Sequence, residues 1–295
     1  MNTKFLEKEF DYVKPATLNE ALDVLQSGKA VKIFAGGTDL IVKCKVGAPV
    51  DMDVMLDING IPELFGVKSE AGGIRIGAAE KISVLEQSED IQKRYTALYE
   101  SFHAMASISV RNMATLGGNF CNASPVADAS CAVLAYDGSV VLEKKGGTRE
   151  VKAEEFFLAP GVTVMEKDEM ITSIKVPAPQ ADTGALYVKL SRVKSDIAKM
   201  SVCFVLNRVG ETIGSCRITM AAVAARPLYL KDVSESLAGK KFDMALVNET
   251  ADAISDFIKP IDDNRTTAVY RKDVSKVIAR DALIEAWKRS GGKLS

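Results

Sequence analysis

Two glycine pairs, Gly36-Gly37 and Gly117-Gly118, stand about 80 residues apart in the 295-residue chain. The first pair directly follows a short apolar run, residues 31–34, which has the length and composition of a β-strand. Glycine permits a positive φ and lets a backbone approach a ligand closely, and successive N–H groups in such a turn can converge on an anion. The second pair, after Thr115, is suited to form another such nest. Taken alone, each pair is more typical of an ordinary tight turn.

Hydrophobic spacing elsewhere predicts a mixed α+β chain. Thr17 and Glu20 have the spacing of a capping box, which starts a helix at Leu18 that Gly28 would end. The other predicted strands cover residues 54–58, 64–68, 74–78, 140–143, 149–152, 170–176, 186–190, 201–208 and 212–224. The other predicted helices cover residues 83–101, 126–136, 243–258 and 267–287.

A linker is predicted at residues 177–180, because Pro177 and Pro179 resist both a helix and a central strand. We therefore expect a larger domain over residues 1–176 and a smaller domain of antiparallel strands and helices over residues 177–295.

Composition excludes several classes of function. A net charge of −1 gives no basic excess for nucleic acid. One histidine, His103, cannot build a histidine-rich metal site, and we expect it to be structural. The five cysteines include no C-x-x-C pair, which argues against an iron–sulfur cluster or a zinc site in this chain, so no metal ligand is assigned. Neither a G-x-G-x-x-G fingerprint nor a P-loop is present.

Nothing in the sequence predicts export or membrane insertion. Residues 1–10 are charged and lack an apolar signal core, and no apolar run approaches the roughly 18 residues of a membrane helix. We expect a cytoplasmic protein.

Several longer strings, in order along nearly the whole chain, resemble the flavoprotein (medium) subunit of molybdenum hydroxylases, the xanthine dehydrogenase and carbon monoxide dehydrogenase family. The strings are Phe10-Asp11-Tyr12, Phe34-Ala35-Gly36-Gly37-Thr38-Asp39-Leu40, Val110-Arg111-Asn112-Met113-Ala114-Thr115-Leu116-Gly117-Gly118-Asn119, Asn122-Ala123-Ser124-Pro125-Val126-Ala127-Asp128, Tyr187-Val188-Lys189 with Arg192 and Asp196-Ile197-Ala198, and Tyr270-Arg271. One glycine pair is weak evidence, whereas these strings in this order are strong evidence.

The resemblance implies an α+β fold with two α/β subdomains clasping FAD, about residues 1–58 and 59–176, followed by an antiparallel-sheet-and-helix domain. It implies that one segment wraps the FAD pyrophosphate mainly with backbone N–H groups: Ile33, Phe34, Ala35, Gly36, Gly37, Thr38, Asp39 and Leu40. Thr115, Gly117, Gly118 and Asn119 would complete this cradle, with Asn122 close by.

The resemblance also implies roles for residues further along the chain. Asp128 would accept hydrogen bonds from the adenosine hydroxyls, Ile171 would pack near the flavin or adenine, and Lys189 would lie near the polar edge of the isoalloxazine. Each of these residues also has an ordinary reading: Ile171 as core, Lys189 as a solvated strand residue, Asp128 as a helix cap, and Asn119 and Asn122 as turn residues. No catalytic residue is assigned.

The implied function is that of an FAD-containing electron-transfer subunit in a xanthine dehydrogenase-like complex. A small subunit would carry the iron–sulfur clusters, a large subunit would carry the molybdopterin cofactor, and NAD⁺ or another carrier would take the electrons. Two alternatives stay open: an independent flavoenzyme of the same FAD-binding superfamily, and a scaffold subunit that kept the fold without the chemistry.

Overall fold

The computed structural model describes residues 9–294, so most of the charged start, residues 1–8, lies outside the described residues. The described chain forms fourteen strands: β1 Asp11–Val13, β2 Val31–Phe34, β3 Val54–Asp57, β4 Val67–Glu70, β5 Gly73–Gly77, β6 Ser139–Lys144, β7 Gly147–Lys152, β8 Phe157–Ala159, β9 Val162–Thr163, β10 Met170–Pro177, β11 Thr183–Leu190, β12 Met200–Val209, β13 Thr212–Ala221 and β14 Leu228–Tyr229.

Twelve α-helices connect these strands within the described residues: α1 Leu18–Leu25, α2 Leu40–Lys45, α3 Ile82–Gln87, α4 Glu89–Arg94, α5 Thr96–Ala104, α6 Ile108–Arg111, α7 Leu116–Cys121, α8 Asp128–Ala135, α9 Ala153–Phe156, α10 Lys231–Glu235, α11 Met244–Phe257 and α12 Ala268–Arg289. Two one-turn 3₁₀ helices, Ile58–Gly60 and Pro62–Leu64, follow β3.

The described residues form four sheets, of which a small one, β8-β9, has two strands and the other three organise the chain into three lobes. A parallel three-stranded sheet, β1-β3-β2, forms the first lobe, residues 11–60. An antiparallel five-stranded sheet, β4-β5-β10-β6-β7, forms the second lobe, residues 61–177. A four-stranded antiparallel sheet, β11-β12-β13-β14, and helices α10 to α12 form the C-terminal lobe, residues 183–289. The α+β class is confirmed, and the predicted domain bounds at residues 58/59 and 176/177 stay a prediction.

The first lobe begins with the capping box that the sequence predicts. Thr17 Oγ1 accepts from the Glu20 N–H at 3.3 Å, and Glu20 Oε2 accepts from the Thr17 N–H at 3.3 Å. The apolar face of α1 then packs Leu22 and Leu25 into a core that also contains Leu56 of β3. This packing holds β2 and its following glycine turn at the edge of the lobe.

In the second lobe the helical patterns predicted over residues 83–101 form three successive helices, α3, α4 and α5. Ser88 adopts an extended backbone and its side chain caps α4, and the non-helical backbone of Tyr95 separates α4 from α5. The predicted strand over residues 64–68 is also displaced, because Pro62 starts a 3₁₀ turn and β4 begins only at Val67. Strand β1 and helix α10 were not predicted.

Helix α8 joins the second lobe to the C-terminal lobe. All eight of its residues are buried, and Thr219 of β13 donates its hydroxyl to the Cys131 carbonyl at 2.8 Å. Within the C-terminal lobe, Gly184 lets β11 approach α12 so closely that a Cβ there would overlap the Ala286 carbonyl. The C-terminal sheet is therefore packed directly against the second lobe.

Within residues 9–294, no helix combines the length and the apolar character needed to cross a membrane.

A buried arginine stabilises the C-terminal lobe. Arg271 of α12 donates to the carbonyls of Lys199 and Ile261, at 2.8 and 2.5 Å, and to Asp263 Oδ2 at 2.8 Å. We expect Arg271→Leu to lower the free energy of unfolding by about 3 kcal/mol, because it removes the buried cation beside Asp263 and leaves the Lys199 and Ile261 carbonyls without this donor. Urea denaturation of the apo chain measures this loss.

Arg280→Leu on the same helix is the matched control, since Arg280 is half exposed, and we expect a change within about 0.5 kcal/mol. Burial opposes ionisation of Asp263, but hydrogen bonds from Arg271 and from two backbone N–H groups outweigh it and lower the pKa of Asp263. Its stabilising contribution is thus complete above the ordinary aspartate pKa and is lost as the pH falls below it. Equal losses for the two variants would contradict this account of Arg271.

Candidate functional site

A cavity of about 430 Å³ opens between the first two lobes, and the C-terminal lobe reaches it through Ile197. Fourteen of the sixteen predicted cofactor-binding residues line it: Ile33, Ala35, Gly36, Gly37, Thr38, Asp39, Leu40, Thr115, Gly117, Gly118, Asn119, Asn122, Asp128 and Ile171. The two exceptions are Phe34, whose ring packs under the glycine turn, and Lys189. The structure therefore brings both glycine motifs to one cavity of ligand-binding size.

The first glycine turn presents a row of unpaired backbone donors to this cavity. Within the described residues, the N–H groups of Gly36, Gly37, Thr38 and Asp39 have no protein acceptor. Gly37 has a φ of +68°, a conformation that glycine adopts without the strain of a side chain. A Cβ on Gly36 would overlap the Met113 carbonyl, so the second lobe packs directly behind the turn. The four consecutive donors form a nest suited to an anion.

The backbone donors of the second glycine pair already have acceptors within the protein. Gly117 N–H donates to the Ala78 carbonyl at 2.8 Å, Gly118 N–H to Thr115 Oγ1 at 3.1 Å, and Asn119 N–H to the Thr115 carbonyl at 3.0 Å. A Cβ on Gly117 would lie 2.7 Å from that same Ala78 oxygen. The glycine thus permits close packing of α7 against the end of β5, and the part of these residues in the cofactor cradle stays a prediction.

Side chains of this second motif still face the cavity. The Thr115 hydroxyl accepts one hydrogen bond and retains its own proton for donation. Asn119 Oδ1 accepts from the Ser130 N–H at 3.3 Å. The Nδ2 group of the same side-chain amide therefore faces away from Ser130 and remains a donor. The second lobe therefore offers side-chain donors opposite the backbone donors of the first.

Asn122 connects the two lobes across the cavity mouth. Its Nδ2 donates to Asp39 Oδ1 at 3.0 Å, and its Oδ1 accepts from Lys43 Nζ at 3.1 Å. Both partners are on the first lobe, at the start and within α2. Lys43 was not predicted, because nothing in its local sequence marks it as facing Asn122.

A buried polar cluster joins the cavity to the C-terminal lobe. Lys189 Nζ lies 3.2 Å from Asp128 Oδ2 and donates to the Ala104 carbonyl at 2.9 Å, and the Tyr187 hydroxyl donates to Asp128 Oδ1. Burial raises the pKa of Asp128, and the nearby Lys189 and the Tyr187 hydrogen bond offset this only in part. Asp128 does not cap α8 with its side chain, since Ala127 occupies the cap position.

This contact places two residues with different predicted roles side by side. The resemblance assigns Lys189 to the isoalloxazine and Asp128 to the adenosine hydroxyls, which are opposite ends of FAD. The two side chains lie 3.2 Å apart, and both roles stay predictions.

A second polar cluster shapes the cavity wall near Met105. Arg111, buried, donates to the carbonyls of Met105 and Ala106 at 2.9 and 3.2 Å and to Glu86 Oε2 at 2.8 Å. Burial opposes ionisation of Glu86, but hydrogen bonds from His103 and Arg111 outweigh it and lower the Glu86 pKa. The cluster holds Ala106 at a φ of +42°, so this wall segment is fixed by side chains of the second lobe.

His103 belongs to that cluster. Its Nδ1 lies 2.6 Å from Glu86 Oε1, and its Nε2 lies 2.6 Å from Lys194 Nζ in the C-terminal lobe. An ammonium can only donate, so Nε2 is placed as the acceptor toward Lys194 and Nδ1 as the donor toward Glu86. This placement agrees with the predicted structural role.

The residues present fit a dinucleotide. Four consecutive backbone donors suit a diphosphate, the cavity has the volume of a small-molecule site, and apolar side chains such as Met105, Ile171 and Ile197 suit aromatic rings. Ile197 belongs to the string Asp196-Ile197-Ala198, but the sequence predicts no site role for it, because its contact with the cavity depends on how the C-terminal lobe folds back.

Comparisons with known proteins agree with this geometry. Residues 8–179 match the family described as the FAD binding domain in molybdopterin dehydrogenase, and residues 185–286 match the CO dehydrogenase flavoprotein C-terminal domain. The chain is 32% identical over 279 residues to the glyceraldehyde dehydrogenase medium chain of Sulfolobus acidocaldarius, covering 94% of this chain and 98% of that one. It is 33% identical over 283 residues to the carbon monoxide dehydrogenase medium chain of Hydrogenophaga pseudoflava, covering 95% and 98%.

A solved structure shows the same fold. A chain of the carbon monoxide dehydrogenase from Hydrogenophaga pseudoflava that lacks the Mo-pyranopterin moiety of the molybdenum cofactor superposes with a TM-score of 0.91 at 33% identity, covering 96% of this chain and 98% of that chain.

The contact between Lys189 and Asp128 gives a prediction for stability. We expect Lys189→Met to lower the free energy of unfolding by about 3 kcal/mol, because Asp128 then lies buried without its cation. Asp128→Asn removes that buried charge, so the double variant should lose about 2 kcal/mol less than the sum of the single losses. Urea denaturation of the apo chain measures all four proteins.

Lys288→Met, at the exposed end of α12, is the matched control and should change stability little. Strictly additive losses for Lys189→Met and Asp128→Asn would show that the two residues do not interact.

Proposed function

Because the chain belongs to the family of FAD-binding medium subunits of molybdenum hydroxylases, we propose that it binds FAD between its first two lobes and transfers electrons within a multi-subunit dehydrogenase. The family is one of oxidoreductases with an FAD-binding domain, so the chain is a subunit of an enzyme and its cofactor is FAD. The residues that hold the cofactor, the partners and the electron acceptor are our proposals.

One observation carries the proposed cofactor site: the four unpaired N–H groups from Gly36 to Asp39 that line the cavity. These residues lie at the partly exposed wall of the cavity, and a diphosphate supplies several acceptor oxygens at close spacing. We assign the pyrophosphate to this row. The Thr115 hydroxyl and Asn119 Nδ2 would add donors from the second lobe.

We assign Asp128 and Lys189 to the same end of the cofactor, the flavin end. Bound FAD supplies a centre that exchanges either one or two electrons. The buried ammonium of Lys189 adds positive charge at this end, and Tyr187 and Asp128 hold it in place. Asp128 is thus proposed to position Lys189, in place of the predicted contact with the adenosine hydroxyls.

The substrate is proposed to be chosen by a partner subunit. Two relatives at nearly equal identity, 32% and 33%, are named for different substrates, glyceraldehyde and carbon monoxide. Both relatives match this chain over at least 94% of its length, so the same two-domain subunit accompanies two unlike substrates. A xanthine dehydrogenase-like substrate therefore stays a prediction.

The electron source is proposed to be a small iron–sulfur subunit, itself supplied by a large molybdopterin subunit. The five cysteines of this chain lie far apart in sequence, without the C-x-x-C pairs typical of cluster binding, and four of them are buried. NAD⁺ or another soluble carrier is the proposed acceptor.

The glycine turn gives a prediction for cofactor affinity. Gly37→Val places a side chain at a φ of +68° and against the Phe34 ring, which displaces the row of amides. We expect about 100-fold weaker FAD binding, as for the loss of about 3 kcal/mol of hydrogen bonding to the diphosphate. Flavin fluorescence titration of the apo chain measures the affinity, and thermal unfolding separates it from a folding defect.

Gly147→Val is the matched control. An added Cβ there meets nothing within 4 Å and the residue has no positive φ, so FAD affinity should stay within about twofold. Unchanged FAD affinity in Gly37→Val would show that the pyrophosphate does not bind at this turn.

The function itself is tested by assembly. This chain is purified together with small and large subunits encoded beside it. We expect one complex in which substrate reduces the flavin and NAD⁺ reoxidises it. Absorbance at about 450 nm follows the flavin, and absorbance at about 340 nm follows NADH. Flavin that substrate reduces but NAD⁺ does not reoxidise would show that another carrier is the electron acceptor, and the rest of the proposal would stand. Turnover of a small substrate by the isolated chain would favour an independent flavoenzyme, and a functional complex without bound flavin would favour a scaffold.

A further inference from the structure

Asn59 anchors the peptide that enters the glycine turn. Its Nδ2 donates to the Ala35 carbonyl at 3.0 Å, one residue before Gly36. Strands β2 and β3 run parallel with Phe34 paired to Asp57, so the segment after β3 follows the segment after β2 along the same edge. This register is what brings Asn59 beside Ala35.

The side chain of Asn59 is itself held in one orientation. Its Nδ2 also donates to Asp57 Oδ1 at 2.7 Å, and the Asn59 backbone N–H donates to the same oxygen at 2.9 Å. A carboxylate only accepts, so the amide end of Asn59 must face Asp57 and Ala35, and its oxygen must face away.

Asp57 is fixed in turn from the opposite side. The Tyr12 hydroxyl of β1 donates to Asp57 Oδ2, and Lys14 Nζ lies 3.8 Å from the same oxygen. Asp57 is buried, with 5% of its surface exposed. A chain of hydrogen bonds therefore runs from Tyr12 through Asp57 and Asn59 to the Ala35 carbonyl.

We infer that Asn59 and Asp57 are positioning residues for the cofactor diphosphate. In a trans peptide the C=O and the following N–H point in opposite directions. Directing the Ala35 oxygen toward Asn59 therefore directs the Gly36 N–H away from it, toward the cavity that Gly36 lines. This inference rests on the proposed function, which places the diphosphate at the same amides.

The chain of hydrogen bonds explains why the row stays open without a ligand. Glycine has few conformational constraints of its own, so an unanchored Gly36-Gly37 turn would rotate its peptides toward internal acceptors. The anchor on Ala35 comes from the neighbouring strand end and involves no atom of the turn itself. Preorganised donors bind more tightly because no ordering cost is paid on binding.

Three variants test the inference through FAD affinity of the apo chain. Asn59→Ala removes the anchor, and we expect about tenfold weaker binding. Asn59→Asp places a carboxylate oxygen against both Asp57 and the Ala35 carbonyl, so the loss should exceed that of Asn59→Ala. Tyr12→Phe acts only through Asp57 and should weaken binding by about threefold or less.

Two controls separate positioning from stability. Leu22→Ala removes a buried core side chain of the first lobe and should lower the thermal unfolding temperature more than Asn59→Ala does, yet leave FAD affinity within about twofold. Asn19→Ala, an exposed asparagine of the same lobe, should change neither quantity.

The outcomes distinguish this inference from the proposed function. If Asn59→Ala and Asn59→Asp retain wild-type affinity while Gly37→Val loses it, the anchor is unimportant and the cofactor site stands. If Leu22→Ala weakens FAD binding as much as Asn59→Ala does, the role of Asn59 is only structural and the inference is wrong. If no variant changes affinity, Gly37→Val included, the proposed site is itself wrong.

Discussion

An unpaired row of backbone N–H groups beside Gly37 is the constraint on which the rest of this structure depends. Gly36, Gly37 and Thr38 are partly exposed and Asp39 is exposed, so a ligand can reach these donors, and the protein supplies no acceptor for them among the described residues. The surrounding features keep this row open: the positive φ of Gly37, the Met113 carbonyl packed behind Gly36, and the anchor on the Ala35 carbonyl. A ligand that accepts hydrogen bonds from this row therefore binds in the cavity.

The C-terminal lobe is part of the site as well as an attached domain. Lys189 and Tyr187 of β11 meet Asp128 at the start of α8, and Ile197 reaches the cavity. Lys194 contacts His103, which belongs to the cluster that shapes the opposite wall. These are among the polar contacts that set where the C-terminal lobe lies relative to the second lobe, and the pair of Lys189 and Asp128 is buried, so it is not easily replaced.

Local patterns were sufficient to predict much of the fold. The capping box at Thr17, strand β2 and the first glycine turn all depend on neighbours within a few residues, and each is found as predicted. The helical region predicted over residues 83–101 is divided into three helices at Ser88 and Tyr95, because helical periodicity continues across breaks that only the backbone conformation reveals. Strand β1 was missed because three residues carry too little pattern and its pairing with β3 is non-local.

The site shows the same difference between local features, which the sequence predicts, and non-local contacts, which it does not. Fourteen of the predicted cofactor residues line one cavity. The sequence does not reveal that the amides of Gly117 and Gly118 already donate to Ala78 and Thr115, because these contacts depend on the folded structure. The contact between Asp128 and Lys189 spans 61 residues and two lobes, so no local pattern predicts it. The most direct measurement is a crystal structure of the apo chain soaked with FAD. We expect the diphosphate oxygens within hydrogen-bonding distance of the N–H groups from Gly36 to Asp39; a diphosphate bound elsewhere, with those four groups facing solvent, would contradict the account.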